Sequence, residues 1–132
     1  MELSDDIGVC FACGTKNPIG LKLEFSWEGE KYVTHFTPRR EHQGFTGITH
    51  GGILSTILDE AMAKLVYEKG CLAVTTDLHI RLRKTAPTGE ELIVSGWIVS
   101  ETHRAIDCAA EARNSQGEII AEAAGRMVKV ER

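Results

Sequence analysis

At 132 residues and 42% hydrophobic content, the chain is long enough for one packed domain and too apolar for a disordered segment. A formal charge of −4 argues against a nucleic-acid role, because such domains are usually basic. No apolar run reaches membrane-spanning length, and the acidic start Met1-Glu2-Leu3-Ser4-Asp5-Asp6 is unlike a signal peptide, so the expected location is cytoplasmic.

Residues 1–20 lack periodicity. Cys10-Phe11-Ala12-Cys13 is a CxxC pair, but a zinc site normally needs a second pair or two histidines. Cys71 and Cys108 are isolated in predicted strands. The pair therefore reads as two small half-buried thiols in a loop, and no metal is expected. Gly14 to Gly20 is turn-rich. Leu21-Lys22-Leu23-Glu24-Phe25 alternates as a half-buried strand, Glu28-Gly29-Glu30 is a turn, and Lys31 to Phe36 returns as the second arm of a hairpin that Pro38 ends. Residues 39–49 form an irregular loop.

From Ile53 to Val66, apolar residues recur as adjacent pairs every four positions: Ile53/Leu54, Ile57/Leu58, Ala61/Met62 and Leu65/Val66. That is a helical period. Thr49 is the expected N-cap and Gly70 the stop. Gly51 and Gly52 open this helix, where unpaired N–H groups and a partial positive charge can receive a ligand oxygen.

After Gly70 comes a long strand. Strict alternation puts Leu72, Val74, Thr76, Leu78, Ile80 and Leu82 on one face, expected to lie on the helix, and Thr75, Asp77, His79, Arg81 and Arg83 on the other. Pro87-Thr88-Gly89 is a turn. Leu92 to Val99 is apolar enough to be buried on both faces. His103-Arg104 turns into a strand of small residues from Ala105 to Arg113. Asn114-Ser115-Gln116-Gly117 is a hairpin turn, and Ile119 to Val130 is the last strand. Strands joined by short turns, with one helix on one face, give an α+β fold with an antiparallel sheet and a single domain over residues 1–132.

Asp59 and Glu60 are the only acids inside the apolar part of the helix. Each lies roughly 130° from the centre of the apolar stripe, on opposite borders, so periodicity does not choose between them. Asp59 has small polar company in Ser55, Thr56 and Ala63, which leaves room for water or ligand. Glu60 stands one turn before Lys64 in the orientation of an exposed ion pair. Asp59 is therefore assigned to a site and Glu60 to solvent.

His50-Gly51-Gly52 with an acid nine residues after the His resembles the hotdog-fold acyl-CoA thioesterases of the phenylacetate-pathway and thioesterase-superfamily-member type. Cys10-Phe11-Ala12-Cys13-Gly14, Asn17-Pro18-Ile19-Gly20-Leu21 and the approach from His42 to Thr49 are similar to one branch of that family. The resemblance implies one long helix wrapped by five or six antiparallel strands, and hydrolysis of a thioester to a carboxylate and free CoA without a cofactor. Carried over by residue, Asp59 would be general base or nucleophile and the Gly51 N–H the oxyanion donor. His50 would shape the loop near the carbonyl, and Thr75 would help position the water. Gly52 and Thr76 would border the substrate, and Arg81, Arg83 and Lys84 would meet CoA phosphates. Relatives carry an Asn or Gln six residues before the His, where this chain has Gly44; the adjacent Gln43 is the candidate substitute. The family also implies a homodimer, or a homotetramer built from two dimers, with sites shared between chains. The alternatives are a non-catalytic acyl-CoA-binding hotdog protein and, behind it, a hotdog dehydratase or hydratase.

Overall fold

The elements follow the expected order of two strands, one helix and four strands. They are β1 (Phe25–Glu28), β2 (Lys31–Phe36), α1 (Gly51–Glu68), β3 (Ala73–Leu82), β4 (Leu92–Glu101), β5 (Ala105–Arg113) and β6 (Ile119–Lys129). This computed structural model describes residues 7–130; the acidic start noted above lies outside them. All strand pairings are antiparallel, in one six-stranded sheet ordered β1-β2-β4-β5-β6-β3.

The paired apolar residues of α1 do what their period requires. Ile57, Leu58, Ala61, Met62, Leu65 and Val66 are all buried against the sheet. Each large side chain so buried contributes on the order of 1.5–3 kcal/mol. Gly96 in β4 allows the close approach. A methyl group there would stand 2.4 Å from the carbonyl oxygen of Ala61. Among the described residues no helix is long and apolar enough to cross a membrane.

Several local expectations change. Leu21–Phe25 is not a strand, since β1 starts at Phe25. Leu21 and Leu23 are nevertheless buried, and their N–H groups donate to the carbonyls of Phe11 and Ala12, both at 2.9 Å. The alternation thus reflects core burial by a loop, with Lys22 in the left-handed region at φ 54° between them. The N-cap is His50, not Thr49: the Gly52 N–H donates to His50 Nδ1 at 2.8 Å. Thr49 is buried, and its hydroxyl has no partner among the described residues. Of β4, Leu92, Val94, Ser95 and Gly96 are buried and Ile93, Trp97 and Ile98 half-buried, so the double-sided burial expected to Val99 is incomplete; Val99 is 63% exposed.

The largest departure is in β3. Its register with β6 slips between Thr75 and Asp77, so Thr76 is an extra residue and strict alternation fails there. Thr75 pairs with buried Met127, Leu78 with Gly125, Ile80 with Ala123 and Leu82 with Ala121, which share the helix-facing side. Val74 pairs with Val128 on the opposite side. The helix-facing set is therefore Thr75, Leu78, Ile80 and Leu82, not the single even-numbered row from Leu72 to Leu82.

Candidate active site

The polar feature of the helix interior is a contact between α1 and the bulged end of β3. The Thr75 hydroxyl donates to Asp59 Oδ1 at 2.9 Å and lies 3.1 Å from Met127 Sδ. Asp59 is half-buried. Burial pushes its carboxyl above the ordinary range, and the Thr75 hydrogen bond opposes that shift.

The start of α1 forms a second feature. His50 caps the helix through Nδ1, and its own N–H donates to the His42 carbonyl at 2.8 Å. A methyl on Gly52 would come within 3.0 Å of that ring nitrogen, so the glycine makes room for the cap. The cap occupies the Gly52 N–H. The Gly51 N–H donates to no acceptor among the described residues. It opens into a cleft of about 620 Å³ lined by Gly44, Phe45, Ile48, His50, Leu54 and Leu82, with Arg83 and Lys84 at its edge. The lining is mostly apolar, and Phe45 is 85% exposed.

The chain does not bring these two features together by itself. Asp59 does not line the cleft. Eight residues separate it from Gly51, which is about 12 Å along a helix. Ser55 and Thr56, expected to leave room beside Asp59, donate back to the carbonyls of Gly51 and Gly52, both at 2.8 Å.

The expected substrate-binding residues divide. Gly44 lines the cleft, but Gln43 does not; its Oε1 accepts from the Gly47 N–H at 3.0 Å and braces the loop. Thr76 sits in the bulge and donates to the Arg126 carbonyl at 3.3 Å. Arg83 makes a two-pronged pair with Glu122 at 2.8 and 3.0 Å, and Lys84 pairs with Glu118. Arg81 is exposed and makes no ion pair among the described residues. Met62 is wholly buried core, whereas Tyr67 is exposed under the Lys64 ammonium, 5.2 Å from its ring centre.

Glu60 is a correction. It does not face solvent or pair with Lys64, which instead meets Glu68 at 3.2 Å. Glu60 is half-buried and faces the N-terminal loop, where Cys10 Sγ stands 3.8 Å from its Oε2. Burial raises its carboxyl, and burial together with the Glu60 charge pushes the Cys13 thiol up to about 12. Helix periodicity could not reveal this, because the covering loop comes from fifty residues earlier.

Residues 46–121 match the family model of the thioesterase superfamily, and the chain belongs to that superfamily. Acyl-coenzyme A thioesterase 13 of Mus musculus is 28% identical over 74 residues, covering 54% of this chain and 53% of that protein. The chain therefore spans about half the length of the curated relative it matches. Zebrafish thioesterase superfamily member 2 superposes with a TM-score of 0.78 at 20% identity, over 93% of each chain. A hypothetical thioesterase from Streptococcus pneumoniae, solved with coenzyme A, gives 0.78 at 20% identity over 83% of this chain and 87% of that one. It was also solved with an aspartate, and separately a threonine sixteen residues later, changed to alanine. These neighbours share the hotdog fold, one helix packed on a six-stranded antiparallel sheet.

Proposed function

We propose that this chain is an acyl-CoA thioesterase acting as a homodimer. The observation that carries the reading is the half-buried Asp59 carboxylate held by the Thr75 hydroxyl at 2.9 Å, in a chain of the thioesterase superfamily. The same sixteen-residue separation divides the aspartate and threonine altered in the Streptococcus pneumoniae neighbour.

In this reading the thioester carbonyl lies against the Gly51 N–H at the positive end of α1, and Asp59 takes a proton from the attacking water. The tetrahedral intermediate collapses with cleavage of the C–S bond, and the proton passes to the departing CoA sulfur. The products are a carboxylate and free CoA. Attack by the Asp59 carboxylate itself, through an anhydride that water then opens, uses the same residues. The separation of about 12 Å along one helix favours Asp59 of one subunit serving the Gly51 N–H of its partner. The edge position of β3, with Leu78 and Leu82 exposed on its helix-facing side, suits such pairing. Of the three basic residues expected to meet CoA phosphates, Arg83 and Lys84 line the cleft but would first leave their carboxylate partners, and Arg81, outside the lining, makes no ion pair among the described residues. Four unpaired cysteines suit a reducing, cytoplasmic setting.

The test is thiol release across short, medium, long and aromatic acyl-CoAs by wild type and Asp59→Ala. The expected loss is on the order of a hundredfold or more. Hydrolysis at the wild-type rate by Asp59→Ala would sink the assignment. A binding protein without turnover is the second reading, favoured by Gly44 and by the bracing role of Gln43, which leave the cleft without a side-chain amide. Tight acyl-CoA binding with no thiol release would establish it.

A further inference from the structure

The N-terminal loop brings a set of ligands together that has no part in thioester chemistry. Cys10 Sγ, Cys13 Sγ and a Glu60 carboxylate oxygen all lie within 4.8 Å of one another. The contact between Cys10 and Glu60 spans fifty residues and measures 3.8 Å.

The loop is built to hold this arrangement. The Gly14 N–H donates to the Cys10 carbonyl at 2.9 Å, and the Lys16 N–H to the Gly8 carbonyl at 2.9 Å. A methyl on Gly14 would stand 2.5 Å from both the Cys10 nitrogen and the Gly8 oxygen, so only glycine closes the turn. The bonds from Leu21 and Leu23 to Phe11 and Ala12 then fix the turn to the body of the protein, and Ala12 between the cysteines is buried. The third ligand comes from the middle of α1, whose position is set by the core.

Glu60 points into this turn and makes no ion pair there among the described residues; Lys64, one turn on, pairs with Glu68 at 3.2 Å and acts on Glu60 only as a more distant charge. A half-buried carboxylate facing two thiols makes an electron-rich pocket. Around a tetrahedral zinc with Zn–S near 2.3 Å and Zn–O near 2.1 Å, neighbouring ligand atoms stand about 3.5–3.8 Å apart. The 3.8 Å contact already has that spacing, and shifts of about 1 Å bring the remaining atoms to it. Two thiolates select a soft ion such as zinc over magnesium or calcium.

We propose that Cys10, Cys13 and Glu60 form a zinc site. Zinc binding releases the two thiol protons and places both thiolates and one carboxylate oxygen on the ion. The fourth position is left to water. The site fastens the N-terminal turn to α1 at the residue next to Asp59. It stands independently of the hydrolytic reading, because its test reads metal and not turnover.

The full chain, expressed without a metal-binding tag, is analysed for metal as isolated and then stripped and titrated with zinc against a chromophoric chelator. The expected result is about one zinc per chain with nanomolar or tighter affinity. Cys13→Ser and the isosteric Glu60→Gln are expected to weaken binding by at least tenfold while keeping wild-type circular dichroism, and Cys71→Ser, outside the cluster, to bind as wild type. Cobalt loading should give thiolate charge-transfer absorption that Cys13→Ser abolishes. Wild type binding no more tightly than Cys13→Ser would overturn the proposal. So would a Cys10–Cys13 disulfide that, once reduced, takes up no zinc. Undiminished binding by Glu60→Gln would remove Glu60 from the site and overturn the three-ligand assignment.

Discussion

The Thr75 hydroxyl donates to the Asp59 carboxylate at 2.9 Å, from the strand position just before an inserted residue. The hydrogen bond favours the charged carboxylate, while burial favours the neutral one and prevails. If Asp59 acts as a base, turnover should rise with pH through an acid limb above the ordinary carboxylate range. Thr75→Val removes the opposing hydrogen bond, so that limb should move to higher pH, with turnover lowered on the order of tenfold. Thr75→Ser should restore both. Superimposable pH–rate profiles for wild type and Thr75→Val would separate Thr75 from the reaction.

The same burial makes Asp59 a cost to stability. The folded chain holds this proton more tightly than the unfolded chain. Stability therefore falls as pH rises from the unfolded value through the raised folded value, and the penalty is complete above the latter. Asp59→Asn removes the charge and keeps an acceptor for Thr75. Its melting temperature at pH 7 should exceed that of wild type, and the difference should shrink below about pH 3.5, where both side chains are neutral. A lower melting temperature at pH 7, measured by calorimetry, would contradict the account.

Gly96 supports the fold at a distance from the chemistry. A side chain there meets the helix backbone at Ala61, which cannot move aside as a flexible side chain could. Gly96→Ala should cost about 1–3 kcal/mol, seen as a lower denaturant midpoint with an unchanged slope. An unaltered midpoint would mean that α1 lies further from β4 than described.

Two inactive variants should rescue each other. In a site shared between chains, Asp59→Asn spoils the base and Gly51→Val crowds the oxyanion donor of the opposite subunit. A mixed dimer then keeps one intact site, and random reassortment should return about a quarter of wild-type activity. If both features serve within one chain, mixing restores nothing.

Much of this was legible in the residues. The paired apolar positions of α1 announced a helix, and the small-residue strand and the Asn114–Gly117 turn announced an antiparallel hairpin. Asp59 lies against Thr75, while Ser55 and Thr56, the hydroxyls expected to leave room beside it, bond back to the helix. The local pattern misleads where a distant segment decides the environment. Glu60 looked like half of an exposed pair because only its own helix was visible in the pattern, and the loop that covers it lies fifty residues away. Leu21 and Leu23 looked like strand residues because burial from a loop leaves the same alternation. The N-cap moved from Thr49 to His50 because a ring nitrogen can accept as a hydroxyl can, and the glycine that follows leaves it room.

The extra residue in β3 works like a shift of reading frame. Counted in twos from Leu82, the helix-facing row runs through Ile80 and Leu78 and would next take Thr76 and Val74. With Thr76 set outside the pairing, the row passes to Thr75 instead, opposite Met127, where an unbroken strand would set Thr76 and turn Thr75 to the other face. Deleting Thr76 would leave Asp77 opposite Arg126 and Thr75 opposite Met127 in strict pairing, whereas flattening the bulge with every residue kept would turn Thr75 away. The partner of the carboxylate is thus specified by where the strand leaves its pairing as much as by the identity of its residues.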